Sequence, residues 1–299
     1  MDHFDIALIG GDRRIAHVAP ILLQEGCRVT CFGITDVLTS SPGLPKPLIS
    51  HDLRECLSSA GTVICGIPLE RNGVLCCEAD APIPLSQLQR GLRRHQKLFG
   101  GLLSEEFRHH CEERSISCHD FMKDESLALF NAVCTAEGAI LEALSHKESL
   151  LHQSNCLVLG FGRCGSMIAR RLAGLCAKVT VTSAEPTELA MAQSAGHEVF
   201  PLSDLPKQVS RFDYLFNTIP ACYLGEESLP SVRRDCLIID VASGRLGVDY
   251  DMAKKLSLQA LFCPGLPGKY AAESCAQRLV KYVLEHIDES KESKTWKGA

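Results

Sequence analysis

The sequence has no CxxC pair, no cluster of basic residues, no repeat of solenoid length and, through residues 124–147, no proline. Each absence removes a class. Without cysteines paired at zinc spacing there is no framework for a structural zinc site. Without a basic stripe, on a chain of net charge -5, a phosphate backbone has no footprint, and nucleic acid is excluded as a partner. No stretch reads as the roughly 18 apolar residues that span a bilayer, so no membrane association is expected. The start, Met1-Asp2-His3-Phe4-Asp5, lacks the basic segment and long apolar run of a signal peptide, and the expected location is cytoplasmic.

What is present is apolar material. The chain has 299 residues, 45% hydrophobic and 22% charged, enough for two ordinary domains with a core each. Of the 16 cysteines, Cys31, Cys65, Cys156, Cys176 and Cys236 fall inside apparent strands or helices, where a free thiol behaves as a small apolar residue. They read as reduced. His109-His110-Cys111 and Cys118-His119-Asp120 gather zinc-type ligands within a short span, but consecutive side chains at a helix end diverge. A solvated helix end is favoured there, and no metal is expected.

Periodicity divides the chain. Phe4-Asp5-Ile6-Ala7-Leu8-Ile9 ends in Gly10-Gly11-Asp12, a helical stretch runs to Glu25-Gly26, and Arg28-Val29-Thr30-Cys31-Phe32 follows: a βαβ unit. Thr62 to Gly66, Lys97 to Gly100 and Ser115 to Cys118 read as further buried parallel strands, and Ser40 to Ser50 as a loop. A long helix is expected over 124–147. Strands then recur at Asn155 to Leu159, Val179 to Val181, Glu198 to Phe200, Tyr214 to Asn217, Cys236 to Val241 and Gln259 to Phe262. The fold class is α/β: two Rossmann-like domains with parallel sheets, joined by a long connector helix. The expected organisation is a Rossmann-like or flavodoxin-like substrate domain over 1–123, the connector over 124–147, a dinucleotide-binding domain over 148–270, a C-terminal helix over 271–288 that packs back toward the first domain, and a disordered tail over 289–299.

The densest chemistry is Gly160-Phe161-Gly162-Arg163-Cys164-Gly165, which follows an apolar strand and opens a helix. Gly160 permits the tight turn, Gly162 lets backbone approach a pyrophosphate, and Gly165 lets the helix pack on the sheet with its N-terminal dipole beneath the phosphates. The next strand ends Val181-Thr182-Ser183-Ala184-Glu185. Ser183 takes the slot where an acidic residue holds the adenosine ribose, and a hydroxyl there suits a 2′-phosphate. NADP is therefore favoured over NAD, with Thr182 and Ser183 in the site. Two later strands end at Asn217-Thr218-Ile219-Pro220 and at Asp240-Val241-Ala242-Ser243-Gly244-Arg245, on the rim where open α/β sheets bind ligands; turn capping is the other reading of Asn217 and Ser243.

Gly10-Gly11-Asp12-Arg13-Arg14, Asn131-Ala132-Val133-Cys134-Thr135-Ala136-Glu137-Gly138, the glycine turn, Asp240-Val241-Ala242-Ser243 and Pro264-Gly265-Leu266-Pro267-Gly268 together, and in this order, resemble the A-type subunits of dipicolinate synthase. The architecture is also similar to the alanine dehydrogenase and adenosylhomocysteinase group. The resemblance implies a nicotinamide-dependent dehydrogenation that makes pyridine-2,6-dicarboxylate from a dihydro- or hydroxytetrahydrodipicolinate, in the mother-cell cytoplasm during sporulation. It also implies a partner, the smaller flavoprotein-like B-type component of dipicolinate synthase, and so a hetero- or homo-oligomer. Two positions depart from the family pattern: Ala184-Glu185 where an arginine is expected, and Gly244-Arg245-Leu246-Gly247 where Arg-Pro-Gly-Gly is expected.

A small ring with two carboxylates calls for bidentate guanidinium groups, and Arg14 and Arg245 are the candidates, with a solvated surface arginine as the alternative for each. On the connector, Asp124, Asn131, Thr135 and Gly138 fall within about 40° of one another and form a polar stripe. Asn131, Thr135 and Ser243 join the candidate substrate residues. Glu137 falls among Phe130, Leu141 and Leu144 on the expected apolar face, where it requires a partner, read as an interdomain bond. Asp124 and His119 are the candidate acid/base groups. Two other functions stay open: a non-catalytic protein that binds nucleotide and docks the flavoprotein-like partner, and another amino- or imino-acid dehydrogenase on the same scaffold.

Overall fold

The computed structural model describes residues 4–34 and 45–295. The chain divides into two compact units, Met1–Ala128 with Ala271–Ala299, and Leu129–Tyr270. The first contains β1 (Phe4–Ile9), α1 (Arg13–Gln24), β2 (Val29–Phe32), β3 (Leu48–Ile49), α2 (Leu53–Ser59), β4 (Ala60–Cys65), a hairpin of β5 (Glu70–Arg71) and β6 (Val74–Leu75), α3 (Leu85–Gly91), β7 (Lys97–Gly100), α4 (Glu105–Glu113) and β8 (Ser117–Asp120). Its main sheet has the order β3-β2-β1-β4-β7-β8, all parallel. Alternate residues of the strands serve opposite faces. Ala7, Ile9, Val63 and Leu98 pack with α2, α3 and α4 residues such as Leu57, Leu88 and Phe107, whereas Ile6, Leu8, Ile64 and Phe99 pack with Ile15 and Val18 of α1.

The second face is shared with α11 (Ala272–Thr295), whose Ala276, Leu279, Val280 and Val283 are buried there. The helix continues to Thr295, into the stretch expected to be a tail. Elongating a helix adds one hydrogen bond per residue once the costly nucleus is formed and packed, and the stretch contains no Gly or Pro before Thr295. Two other expectations shift. Residues 40–44 of the expected loop lie outside the described residues, and Leu48–Ile49 form an edge strand against Thr30 and Cys31. The strand expected at Ser115 to Cys118 starts two residues later, because Ser115 adopts a left-handed φ of 56° while closing α4. His119 and Asp120 consequently lie within β8.

α5 (Glu125–His146) carries the chain from the first unit into the second. There follow β9 (Asn155–Leu159), α6 (Arg163–Gly174), β10 (Lys178–Ser183), α7 (Pro186–Ser194), β11 (Glu198–Pro201), α8 (Leu205–Gln208), β12 (Tyr214–Asn217), β13 (Leu237–Asp240), α9 (Tyr250–Lys255), β14 (Gln259–Phe262) and α10 (Leu266–Tyr270). The order β11-β10-β9-β12-β13-β14, all parallel, repeats that of the first sheet once the hairpin is set aside.

The faces of α5 depart from the sequence expectation: Leu127 and Cys134 of the expected apolar face are buried, but its C-terminal leucines are not. Ala132, Thr135, Ala136, Gly138, Ala139, Glu142 and Ala143 are buried, while Leu141 and Leu144 are 43% and 48% exposed. Small residues win this face because the helix packs at close range: a Cβ added at Gly138 would lie 2.8 Å from Leu266 Cβ. Glu137 is correspondingly exposed and pairs with Arg171 of α6 at 3.1 Å, a bond inside the second unit and not between units. By length and composition α5 also qualifies as a membrane span, contrary to expectation, but more than half of its apolar window is buried inside the protein.

None of the 16 cysteines is in a disulfide. Burial pushes Cys31, Cys156 and Cys236 up to about 12 and Cys56 to about 11.

Candidate functional site

The glycine turn joins β9 to α6. Gly160 stands at φ +86°, and its N–H donates to the Thr182 carbonyl at 2.8 Å, so Thr182 serves through its backbone while its side chain is fully buried in β10. The Thr218 hydroxyl donates to the Leu159 carbonyl at 2.7 Å and lies where a Gly160 side chain would go. Gly165 has no room for a Cβ, which would sit 2.1 Å from the Gly160 carbonyl. Helix and turn are thereby pressed together.

Gly162 is different. It is the N-cap of α6, no side chain caps that helix, and a Cβ there would meet one atom within 4 Å, Glu188 Oε1 at 3.6 Å. Exposed Gly162 and Arg163 leave the positive end of a twelve-residue helix open to an anion. This closely packed yet uncapped turn fits a dinucleotide pyrophosphate. Phe161 is buried in the core below, and Cys164, its thiol pushed up by burial, shares a hydrogen bond with Thr135 of α5. Thr135, which also donates to the Asn131 carbonyl one turn back along α5 at 2.9 Å, is thereby brought up to the glycine turn.

The sequence reading missed Glu188. From the first turn of α7 its Oε2 accepts from the Phe161 N–H at 2.7 Å and from the Ser183 hydroxyl at 2.7 Å. Ser183 in turn accepts from the Glu185 N–H at 3.1 Å. Its hydroxyl is committed on both sides and 3% exposed, which corrects the expectation that it is available to a 2′-phosphate. The only sequence signal was an acid 23 residues beyond Gly165, near the usual spacing but past the end of the strand.

On the rim, the Asn217 amide ties both backbone groups of Ile219, donating to its carbonyl at 3.0 Å and accepting from its N–H at 3.2 Å. Asn217 also donates to Asp240 at 2.9 Å. Asp240 further accepts from the Ala242 N–H at 3.0 Å and the Tyr250 hydroxyl at 2.6 Å. Burial and this acceptor drive the Tyr250 hydroxyl well above the usual tyrosine range. Asn217 and Asp240 are fully buried, so they shape the rim and do not present side chains to a ligand. Pro220, Ser243 and Arg245 are exposed, with Val241 and Ile219 half-buried. Arg245, at φ 54°, stacks 4.6 Å over the Tyr250 ring.

The remaining candidates have other duties. Arg14 is 4% exposed, gripping Asp12 through three hydrogen bonds of 2.8 to 3.1 Å and donating to the Ile67 carbonyl at 2.7 Å. The guanidinium expected to bind a substrate carboxylate is thus a buried brace committed to its own domain, and it is not the solvated surface arginine of the alternative either. Asp124 caps α5 by accepting from the Leu127 N–H at 2.8 Å. The His119 ring stacks on Phe99 at 4.6 Å, meets His286 at 5.3 Å, and hydrogen-bonds Ser117 at 3.0 Å. Cys111 and Cys118 share a hydrogen bond, and among the described residues no group of three or more metal-ligating side chains is arranged around an ion.

Fold and turn define a class: a two-domain α/β protein with an oxidoreductase fold whose second domain is of the dinucleotide-binding kind. Residues 133–265 match the NAD binding domain of D-isomer specific 2-hydroxyacid dehydrogenases. An L-alanine dehydrogenase structure shares the fold, with a TM-score of 0.57 at 14% identity over 94% of this chain and 90% of that one. Residues 5–122 match the N-terminal domain of the A-type dipicolinate synthase subunits. The A-type dipicolinate synthase subunit of Bacillus subtilis (strain 168) is 36% identical over 169 residues, a match that spans 56% of this chain and 57% of that relative's length. The crystal structure of the dipicolinate synthase A chain from Bacillus subtilis superposes with a TM-score of 0.80 at 25% identity, covering 98% of each chain. The resemblance to the A-type dipicolinate synthase subunits read from the five motifs is thus shown.

Proposed function

We propose that this chain is the dehydrogenase component of a dipicolinate synthase, acting on dihydrodipicolinate or its hydroxytetrahydro precursor in the cytoplasm of a sporulating cell. The observation that carries the reading is the open, uncapped glycine turn on a chain whose other domain is of the dipicolinate synthase kind. From dihydrodipicolinate the reaction removes a hydride and a proton from the ring, from the hydroxytetrahydro precursor a molecule of water as well, and aromatisation drives it. A bound NAD or NADP supplies the hydride acceptor. The chain's own work is to seat the pyrophosphate over Gly162, hold the rim through Asn217 and Asp240, and offer Arg245 and Ser243 to a substrate carboxylate. Asn131 and Thr135 line the α5 side of the turn in this reading.

The flavoprotein-like partner is part of the proposal, for a specific reason. Asp124 is spent as a helix cap and His119 in an aromatic stack, so neither candidate acid/base group stands free at the glycine turn. The test is absorbance at 340 nm with dihydrodipicolinate and NAD or NADP, first with this chain alone and then with the flavoprotein-like partner present. Reduction of cofactor in either mixture supports the reading. No turnover in both, despite tight nucleotide binding, overturns it in favour of a non-catalytic role.

A further inference from the structure

The ribose end of the glycine turn carries a negative charge that the motif itself does not predict. Glu188 reaches back from α7 to the amide of Phe161, at the heart of the turn, and to Ser183 at the end of β10. Both protein donors fall on Oε2. Oε1 accepts from no protein group among the described residues and lies beside the open face of Gly162. One oxygen is thus anchored, the other presented.

In a dinucleotide-binding domain the end of the second strand, next to the first glycine turn, is where the adenosine ribose lies, and a carboxylate there accepts from its hydroxyls. We propose that Glu188 is the specificity-determining residue of this site and that it selects NAD over NADP. The proposal rests on the dehydrogenase reading above and narrows its cofactor.

The reasoning is electrostatic. A ribose 2′-hydroxyl donates to Oε1, whereas a 2′-phosphate brings roughly two negative charges against it and no hydrogen to donate. Ser183 cannot compensate, since its hydroxyl already donates to Glu188 and accepts from Glu185. The two residues beyond it, Ala184 and Glu185, offer no cation. Ser183 therefore acts as a positioning residue that fixes the carboxylate, reversing the preference for NADP that a serine in this slot suggests.

The test is calorimetric titration of the full chain with NAD and with NADP, for the native protein and for Glu188→Gln and Ser183→Ala, with circular dichroism as the check on folding. The native chain is expected to bind NAD at least about tenfold more tightly than NADP, a difference of ~1.4 kcal/mol. Glu188→Gln is expected to bring the two affinities within about threefold of each other. Ser183→Ala keeps the carboxylate but removes one of its two anchors, and is expected to narrow the preference without abolishing it. Native affinity for NADP equal to or above that for NAD overturns the proposal, and so does an unchanged ratio in a folded Glu188→Gln. Should Glu188→Gln not fold, the native ratio alone decides. Either failure leaves the dehydrogenase reading standing; binding of neither dinucleotide overturns both.

Discussion

The two domains have the same strand order and place a glycine turn at the same point, between the first strand and the first helix, yet the turns are built for opposite ends. In the first domain Asp12 accepts from the Arg14 N–H at 3.0 Å and caps α1, and the Gly11 N–H is already bonded to the Cys76 carbonyl at 2.7 Å. A Cβ at Gly10 would lie 2.4 Å from that carbonyl. The turn is filled by its own chain, and Arg14 neutralises the capping carboxylate from within the core. In the second domain α6 has no cap, Gly162 has open space above it, and the neighbouring carboxylate stands to one side. A βαβ unit with glycines thus offers an anion a seat only where the protein leaves the helix end open.

The sharpest way to break this comparison is Gly162→Asp. Gly162 has an ordinary φ of -70°, so the fold should tolerate the change with its melting temperature nearly unmoved. The new charge at the phosphate position should weaken nucleotide binding by about 100-fold or more, since like charges at ~4 Å cost about 4 kcal/mol at intermediate dielectric. Titration with NAD measures it, and unchanged affinity would remove the turn from the site.

The reciprocal change is Asp12→Ala. It removes a helix cap and strands a buried guanidinium, and should lower the stability of the first domain by roughly 2–3 kcal/mol. Nucleotide affinity should stay within about twofold. A tenfold loss of affinity, with the chain folded, would mean that the first turn also serves the cofactor.

A smaller effect separates the domains by pH. In the second, buried Glu142 of α5 accepts from Lys269 at 2.6 Å and from the Tyr270 hydroxyl at 2.8 Å. Burial acts to raise its pKa, but these donors together with the Lys269 and His146 charges outweigh it and hold the carboxyl below the usual range. A depressed folded pKa gives stability that is present above the unfolded value, near 4.3, and is lost as pH falls through the folded one. Glu142→Gln should therefore cost about 1–2 kcal/mol at pH 7 and progressively less below about pH 4. Denaturation midpoints measured along pH check it; a deficit that persists undiminished into acid would assign the loss to packing.

Much of the fold was legible because buried parallel strands are short apolar runs between turns. Tyr214 to Asn217 and Gln259 to Phe262 were read to the residue. The glycine turn was legible for the same reason: its residue types follow from backbone geometry. Side-chain destinations were not. Glu188 lay hidden because a helical residue reaches back over the preceding turn, so its place in sequence is displaced from its place in the site. Arg14 reads as a candidate for a substrate carboxylate because nothing in the sequence shows that it is spent on Asp12, two residues away, and on the Ile67 carbonyl far along the chain. The faces of α5 misled because leucines were taken to mark the interior, when Ala, Gly and Thr gave the closer contact.

That last feature inverts the usual map of which positions tolerate change. Along α5 the bulky residues Leu141 and Leu144 are where substitutions, labels or solubilising charges can be introduced freely in the single chain. The smallest residues are the immovable ones: at Gly138 even one added methyl group forces Leu266 and Tyr270 out of the way. A scan that replaces large residues by alanine would pass over the constraint that holds this helix in place; a scan that replaces alanine and glycine by larger residues would find it.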